Sequence, residues 1–153
     1  MDKEPKVIIR KATWADDQTI HDLIHLVHIN PMDLKWEHFL VAEDSEGIFL
    51  GCGQIKIHRG GVLELASIAV VPEAQHQGIA SQIIQRLIES TPQDLYLTCR
   101  ARLETFYQPF GFEKVTDQNL LPRYFMRIVR LSKNLMRMRI IGEPILVMYR
   151  KNK

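Results

Sequence analysis

The turn Val71-Pro72-Glu73-Ala74-Gln75-His76-Gln77-Gly78-Ile79-Ala80-Ser81 carries the plainest chemical signal in this chain. It follows an apolar strand, Leu65–Val71, and opens a helical pattern. Pro72 ends the strand, while Gly78 and Ala80 remove side chains where the backbone turns into the helix. Several N–H groups then stand open at the positive end of a helix dipole, a place suited to a phosphate or pyrophosphate. On spacing alone, a small-residue turn packed against the sheet accounts for the same residues.

Charge gives a second signal. From Gln118 to Gly142 there is no acid, while Arg123, Arg127, Arg130, Lys133, Arg137 and Arg139 supply six cations. Removing these six from a net charge of +2 leaves the rest of the chain at −4, so a basic segment is joined to a mildly acidic domain. On a helical wheel Leu121, Tyr124, Ile128 and Leu135 share a face, with Arg123, Arg127, Arg130 and Arg137 roughly opposite. Such a stripe is either solvated surface or the docking place of an anionic partner. A basic helix is thin support for nucleic-acid binding, and nucleic acid is not expected as a partner. The six histidines show no ligand spacing and there is no C-x-x-C, so no metal site is expected. Cys52 and Cys99 sit in strand-like runs and read as small buried hydrophobes.

The elements that hold these residues follow from periodicity. Val7–Lys11 reads as a strand. Thr13 suits an N-cap for a helix whose face carries Ile20, Leu23, Ile24 and Val27, and Asn30-Pro31 ends it. A short helix follows around Asp33–Glu37. Phe39–Glu43 and Ile48–His58 form a hairpin around Asp44-Ser45-Glu46-Gly47, and Gly60-Gly61 turns the chain into the strand Val62–Val71. A helix over Gln77–Ile88, a strand over Leu95–Cys99, a short helix over Leu103–Phe110 and a strand over Phe112–Val115 follow. A basic helix at about 118–141 and a last strand, Ile145–Arg150, complete the order. Strand, helix and strand around the turn make a parallel β-α-β unit, and hairpins precede it. The fold class is therefore α/β (α+β): a mixed, mostly antiparallel sheet with a central parallel pair, flanked by helices.

With 153 residues, 46% of them hydrophobic, the chain is expected to form a single domain with a real core. No apolar run approaches the ~18–20 residues of a membrane span. The polar, mixed-charge Met1-Asp2-Lys3-Glu4-Pro5 does not read as a secretory signal, which makes the cytoplasm the expected address.

Gln75-x-x-Gly78-x-Ala80 after the strand Leu65–Val71 resembles the acetyl-CoA-binding signature of the GCN5-related N-acetyltransferase (GNAT) superfamily. A second stretch agrees: Arg100-x-x-Leu103-x-x-Phe106-Tyr107-x-x-x-Gly111-Phe112 is similar to that family's downstream tyrosine motif. The resemblance covers roughly residues 5–115 and implies direct transfer of acetyl, or another short acyl group, from acetyl-CoA to an amine. It also implies that the central parallel pair splays apart after Val71. By the same resemblance the backbone of Gln75, His76, Gln77, Gly78, Ile79, Ala80 and Ser81 lies along the pyrophosphate. The strand edge Ile68, Ala69, Val70 and Val71 meets the pantetheine amides, and a backbone N–H near Ile68–Val70 serves the oxyanion. Tyr107 would protonate the departing thiolate, or else its hydroxyl simply caps a buried network. Many members carry Asn where Arg100 stands, and some a glutamate where Thr98 stands, so the general base does not carry over with the motif.

An amine must arrive neutral, and a lysine-type amine has a pKa of roughly 10.4. Glu64, the only acid in Val62–Val71, is the candidate base, directly or through water. Alternation places it on the face of Ala66, Ile68 and Val70, or leaves it in solvent at the strand's wet start. His58 is a weaker candidate, a lone strand-end histidine of the kind usually found at the surface. His76 is expected to point to water, and Trp14 and Trp36 to enter the core. The rival to an enzyme is a non-catalytic acyl-CoA-binding regulatory module.

Overall fold

The computed structural model describes residues 6–153; Met1–Pro5, weighed above as a possible leader, lies outside the described residues. The chain divides into two compact units, one holding the chain up to Lys56 together with Leu65–Pro92, the other Ile57–Glu64 together with Gln93–Lys153. Seven strands hydrogen-bond in the order β1-β2-β3-β4-β5-β7-β6. They are β1 Ile8–Lys11, β2 Phe39–Glu43, β3 Phe49–His58, β4 Val62–Val70, β5 Leu95–Arg100, β6 Glu113–Lys114 and β7 Ile145–Arg150. The pairs β1/β2, β2/β3, β5/β7 and β6/β7 are antiparallel. β4 and β5 are parallel, with Glu64 opposite Tyr96. This is the mixed, mostly antiparallel sheet expected from the order of elements.

In the first unit, Arg10 on β1 grips Asp16 with two nitrogens, at 2.8 and 2.9 Å, and reaches Glu43 on β2 at 3.1 Å. The Arg10 guanidinium holds the Asp16 carboxyl below its ordinary range. Asp16 also accepts the Thr13 backbone N–H at 2.8 Å, so Thr13 starts a 3-10 turn, Trp14–Asp16, and the α-helix α1, Asp17–Leu26, begins after it. Ile20, Leu23 and Ile24 of α1 are buried with Phe39, Val41, Cys52 and Ala69. Burial pushes the Cys52 thiol up to about 12, as suits a packed hydrophobe. Trp14, expected in the core, is 77% exposed because it rides the outer side of that first turn, whereas Trp36 packs on the cluster. In place of the short helix around Asp33–Glu37 there is a single 3-10 turn, Trp36–His38.

The β2–β3 hairpin is closed by Asp44, whose Oδ1 accepts the N–H groups of Glu46 and Ile48 at 2.8 and 2.9 Å. The α-helix α2, Ile79–Glu89, buries Ile79, Ile83, Ile84 and Leu87, each stabilising by about 1.5–3 kcal/mol. The helix approaches β3 closely at Gly53. A Cβ there would stand 2.6 Å from Ile68 Cδ1 and 2.8 Å from Ile83 Cγ2, so any larger residue would have to push these side chains aside.

In the second unit, β5 and β7 pair over six residues, Leu95–Arg100 against Arg150–Ile145. The helix expected over Leu103–Phe110 is a four-residue α3, Glu104–Tyr107, followed by a 3-10 turn that Pro109 helps to open. β6 is two residues rather than four. The basic segment is the helix α4, Arg123–Arg137, which starts after Pro122. Leu121 is buried and Tyr124, Ile128 and Leu135 are half-buried, as the wheel requires, but the deepest side chain is Phe125, packed with Val147. Ser132 on the same inner face accepts the Ile145 N–H at 2.9 Å, tying α4 to β7.

Candidate active site

The turn after β4 is built by local bonds. Pro72–Ala74 forms one 3-10 turn, the Ala74 N–H donates to Val71 O at 2.9 Å, and buried Ala74 anchors it. The Gln75 side chain reaches back to Val70 O at 3.2 Å. His76 is exposed, as expected, with φ +63, and Gly78 adopts φ +78 as the residue capping α2. The first bond inside the helix is Gln82 N–H to Gly78 O, at 3.2 Å. The N–H groups of Ile79, Ala80 and Ser81 therefore precede the first intrahelical donor. No acid lies in the first turn of α2, and nothing lies within 4 Å of where a Gly78 Cβ would stand. Backbone donors, an open approach and the positive end of an 11-residue helix fit a pyrophosphate. Gln75, His76, Gln77 and Gly78 are exposed, Ala80 and Ser81 half-buried, and Ile79 faces the core.

On β4, Ser67 has φ +58, a left-handed conformation in mid-strand. Beyond it, Ile68 Cδ1 and Val70 Cγ2 lie on one side, 2.6 and 3.3 Å from where Cβ atoms of Gly53 and Gly51 would stand, while Ala69, between them, joins the cluster of α1. Ala69 and Val70 are buried, and Ile68 and Val71 half-buried.

In the second unit Glu64 is 3% exposed, so it does not face solvent. Its Oε1 lies 2.8 Å from His58 Nε2. His58 is correspondingly no surface histidine, its side chain being 13% exposed. The Tyr124 ring stacks on it at 3.9 Å between centroids, and Phe125 meets its edge at 5.7 Å. With Glu64 ionised, its carboxylate accepts Nε2–H and fixes the tautomer in which Nδ1 carries the lone pair. Such a pair takes up a proton at the imidazole and offsets the resulting charge at the carboxylate. Sequence reasoning missed this pairing; the available signal was the polar series Gln54, Lys56 and His58 at alternate positions of one strand.

Tyr107, on α3, is buried, with Phe106 and Phe112 edge-on at 5.0 and 6.2 Å. Burial first, and Cys99 second, push its phenol well above the ordinary range. No protein partner bonds its hydroxyl among the described residues. Arg100, at the family's Asn position, is exposed at the end of β5, and Thr98 is half-buried. Arg123, Arg127 and Arg130 of α4 are exposed, with no ion-pair partner among the described residues.

Residues 35–114, more than half of the chain, match the acetyltransferase (GNAT) domain family, and the chain belongs to that family. No curated protein sequence matches it. Among solved structures it is similar to N-acetylglutamate synthase from Neisseria gonorrhoeae in complex with coenzyme A and L-arginine, at 21% identity and TM-score 0.71. That likeness covers 97% of this chain and 34% of the synthase, so the chain spans about a third of that protein's length. It is similar to Rv2747 from Mycobacterium tuberculosis, crystallised with CoA, at 21% identity and TM-score 0.68, over 92% of this chain and 97% of that one. ElaA of Escherichia coli follows at 14% identity and TM-score 0.68, covering 95% of this chain and all of its own. At these identities the likeness defines the fold. Among the described residues no helix is long and apolar enough to cross a membrane.

Proposed function

We propose that the chain is an acetyl-CoA-dependent N-acetyltransferase that passes an acetyl or short acyl group directly to an amine. The observation that carries this reading is the left-handed, unobstructed Gly78 opening α2 beneath a family-matching turn. Backbone N–H groups of Gln77–Ser81 hold the pyrophosphate, and the β4 backbone from Ile68 to Val71 serves the pantetheine and the oxyanion. The Glu64–His58 pair accepts the ammonium proton. The neutral nitrogen then bonds to the thioester carbonyl carbon, the C–S bond breaks, and Tyr107 gives its hydroxyl proton to the leaving sulfur. The alternative, an acyl-CoA-binding module without turnover, is separated by thiol release. Release that rises with added amine supports the enzyme; tight acetyl-CoA binding with no amine-dependent release refutes it.

Because burial keeps Tyr107 protonated, its raised phenol is a weaker acid than a thiol of pKa roughly 8.5, and a thiolate leaves partly unaided. Tyr107→Phe is therefore expected to lower kcat by about 10-fold, leaving the Kd of acetyl-CoA within about twofold. The wild-type rate should show no alkaline fall from this group below about pH 10. Equal kcat in the two proteins, or a Kd raised as much as kcat falls, removes Tyr107 from the chemistry.

The exposed cations of α4 are proposed to attract an anionic partner. Replacing Arg123, Arg127 and Arg130 by Gln is expected to raise KM for the acceptor about 3- to 10-fold at low salt and to flatten its salt dependence. Equal KM values and equal salt slopes make the stripe solvated surface.

A further inference from the structure

Lys56 and Gln54 stand two residues apart on β3, so alternation places both on one face of the strand. Gln54 is 0% exposed and Lys56 5%. Among the described residues, no carboxylate and no hydrogen-bond acceptor meets the Lys56 ammonium. Gln54 spends its amide protons on the protein, donating to Ser67 Oγ at 2.8 Å and to Asp33 O at 3.3 Å. Its Oε1 is buried with no partner. Both residues that it grips are non-glycine residues in the left-handed region, Ser67 at φ +58 and Asp33 at φ +55. A strained backbone at two points thus holds one amide in a fixed orientation with its acceptor oxygen unspent.

A buried acceptor without a donor costs free energy and is ordinarily satisfied, while the Lys56 side chain, drawn in to 5% exposure without a counter-ion, leaves its ammonium open to an anion. A ligand supplying an anion and an N–H group satisfies them together. We propose that Lys56 and Gln54 form a recognition subsite for an acceptor that carries a carboxylate beside a nitrogen, an amino-acid-type amine. The carboxylate pairs with the Lys56 ammonium, and an N–H of the ligand donates to Gln54 Oε1. This deepens the transferase reading and rests on it for the ligand's role as acceptor. The subsite itself stands on burial and bonding alone. A carboxylate on the acyl group of a dicarboxylic acyl-CoA has the same chemistry, and the experiment separates the two sources.

The test is equilibrium titration of the full chain, with and without saturating CoA, by the proteinogenic L-amino acids and by their C-terminal amides. At least one acid is expected to bind the wild type on the order of 30-fold or more tighter than its amide, the loss typical of removing one partner of a buried charge pair. Lys56→Met should erase that preference while leaving CoA affinity unchanged. Its melting temperature should not fall, since methionine keeps the packed stem and the ammonium bonds nothing in the protein. Acids and amides that bind the wild type alike, or no binding by any acid, overturn the subsite. So does a Lys56-dependent preference for succinyl-CoA over acetyl-CoA, which assigns the carboxylate to the acyl donor. Should Lys56→Met fail to fold, the acid–amide comparison in the wild type decides alone. Failure of CoA to bind refutes the transferase reading, and the titrations without CoA still judge Lys56.

Discussion

Gly78→Glu is expected to abolish the rise in melting temperature that acetyl-CoA gives the wild type. At 100 times its Kd the ligand stabilises the native state by about 2.7 kcal/mol, or roughly 5–10 °C for a domain of this size. The variant acts in two ways. A side chain at φ +78 costs about 1–2 kcal/mol of backbone strain, which should lower its own melting temperature by roughly 2–8 °C. It also sets a carboxylate where the helix otherwise offers only N–H groups to an anion. Because no atom lies within 4 Å of that Cβ, the fold itself should survive. Gly78→Ala, with strain and no charge, should retain part of the shift. A folded Gly78→Glu protein with the full acetyl-CoA shift would place the cosubstrate elsewhere.

Glu64→Gln should lower kcat by about 100-fold or more, the usual loss of a general base, with acetyl-CoA affinity unchanged. Glutamine keeps the volume and can still accept His58 Nε2–H through its oxygen, so the imidazole stays in place while the charge behind it is lost. Removing a buried charge in exchange for a neutral isostere should leave stability nearly intact. The acidic limb of the rate profile should disappear or move. His58→Gln should show the same kind of loss if the two groups act as one. An acidic limb that persists unaltered in Glu64→Gln shows that neither is the base.

Much of the fold was legible because its cues are local. Pro72 and Gly78 mark the turn, Asp44-Ser45-Glu46-Gly47 the hairpin, and the isoleucines of α2 one apolar face. The short pieces were less legible. Pro109 turns the expected helix into α3 and a 3-10 turn, and Asp16, held by Arg10, delays α1 past Thr13. The candidate site was legible at the turn between β4 and α2, where chemistry and backbone coincide within a few residues. It was not legible where two distant positions must meet. Nothing in the sequence says that Ser67 takes a left-handed conformation in mid-strand, since serine has no preference for it. His58 looked solitary because its partner sits across a turn, and Phe125 looked ordinary beside the neighbouring arginines. Trp14 shows the converse: a large apolar side chain left outside by a turn that a hydrogen bond, not burial, has fixed.

If the acyl group passes to nitrogen, the acetyl carbonyl carbon must move from thioester to amide. The protein is given acetyl-CoA isotopically labelled at that carbon with a panel of amines, and the label is followed by carbon NMR. The thioester resonance should be replaced by one amide resonance per CoA thiol released, and Gly78→Glu should form none. Label that accumulates as free acetate, or stays in the thioester with every amine while acetyl-CoA is bound, would contradict that transfer.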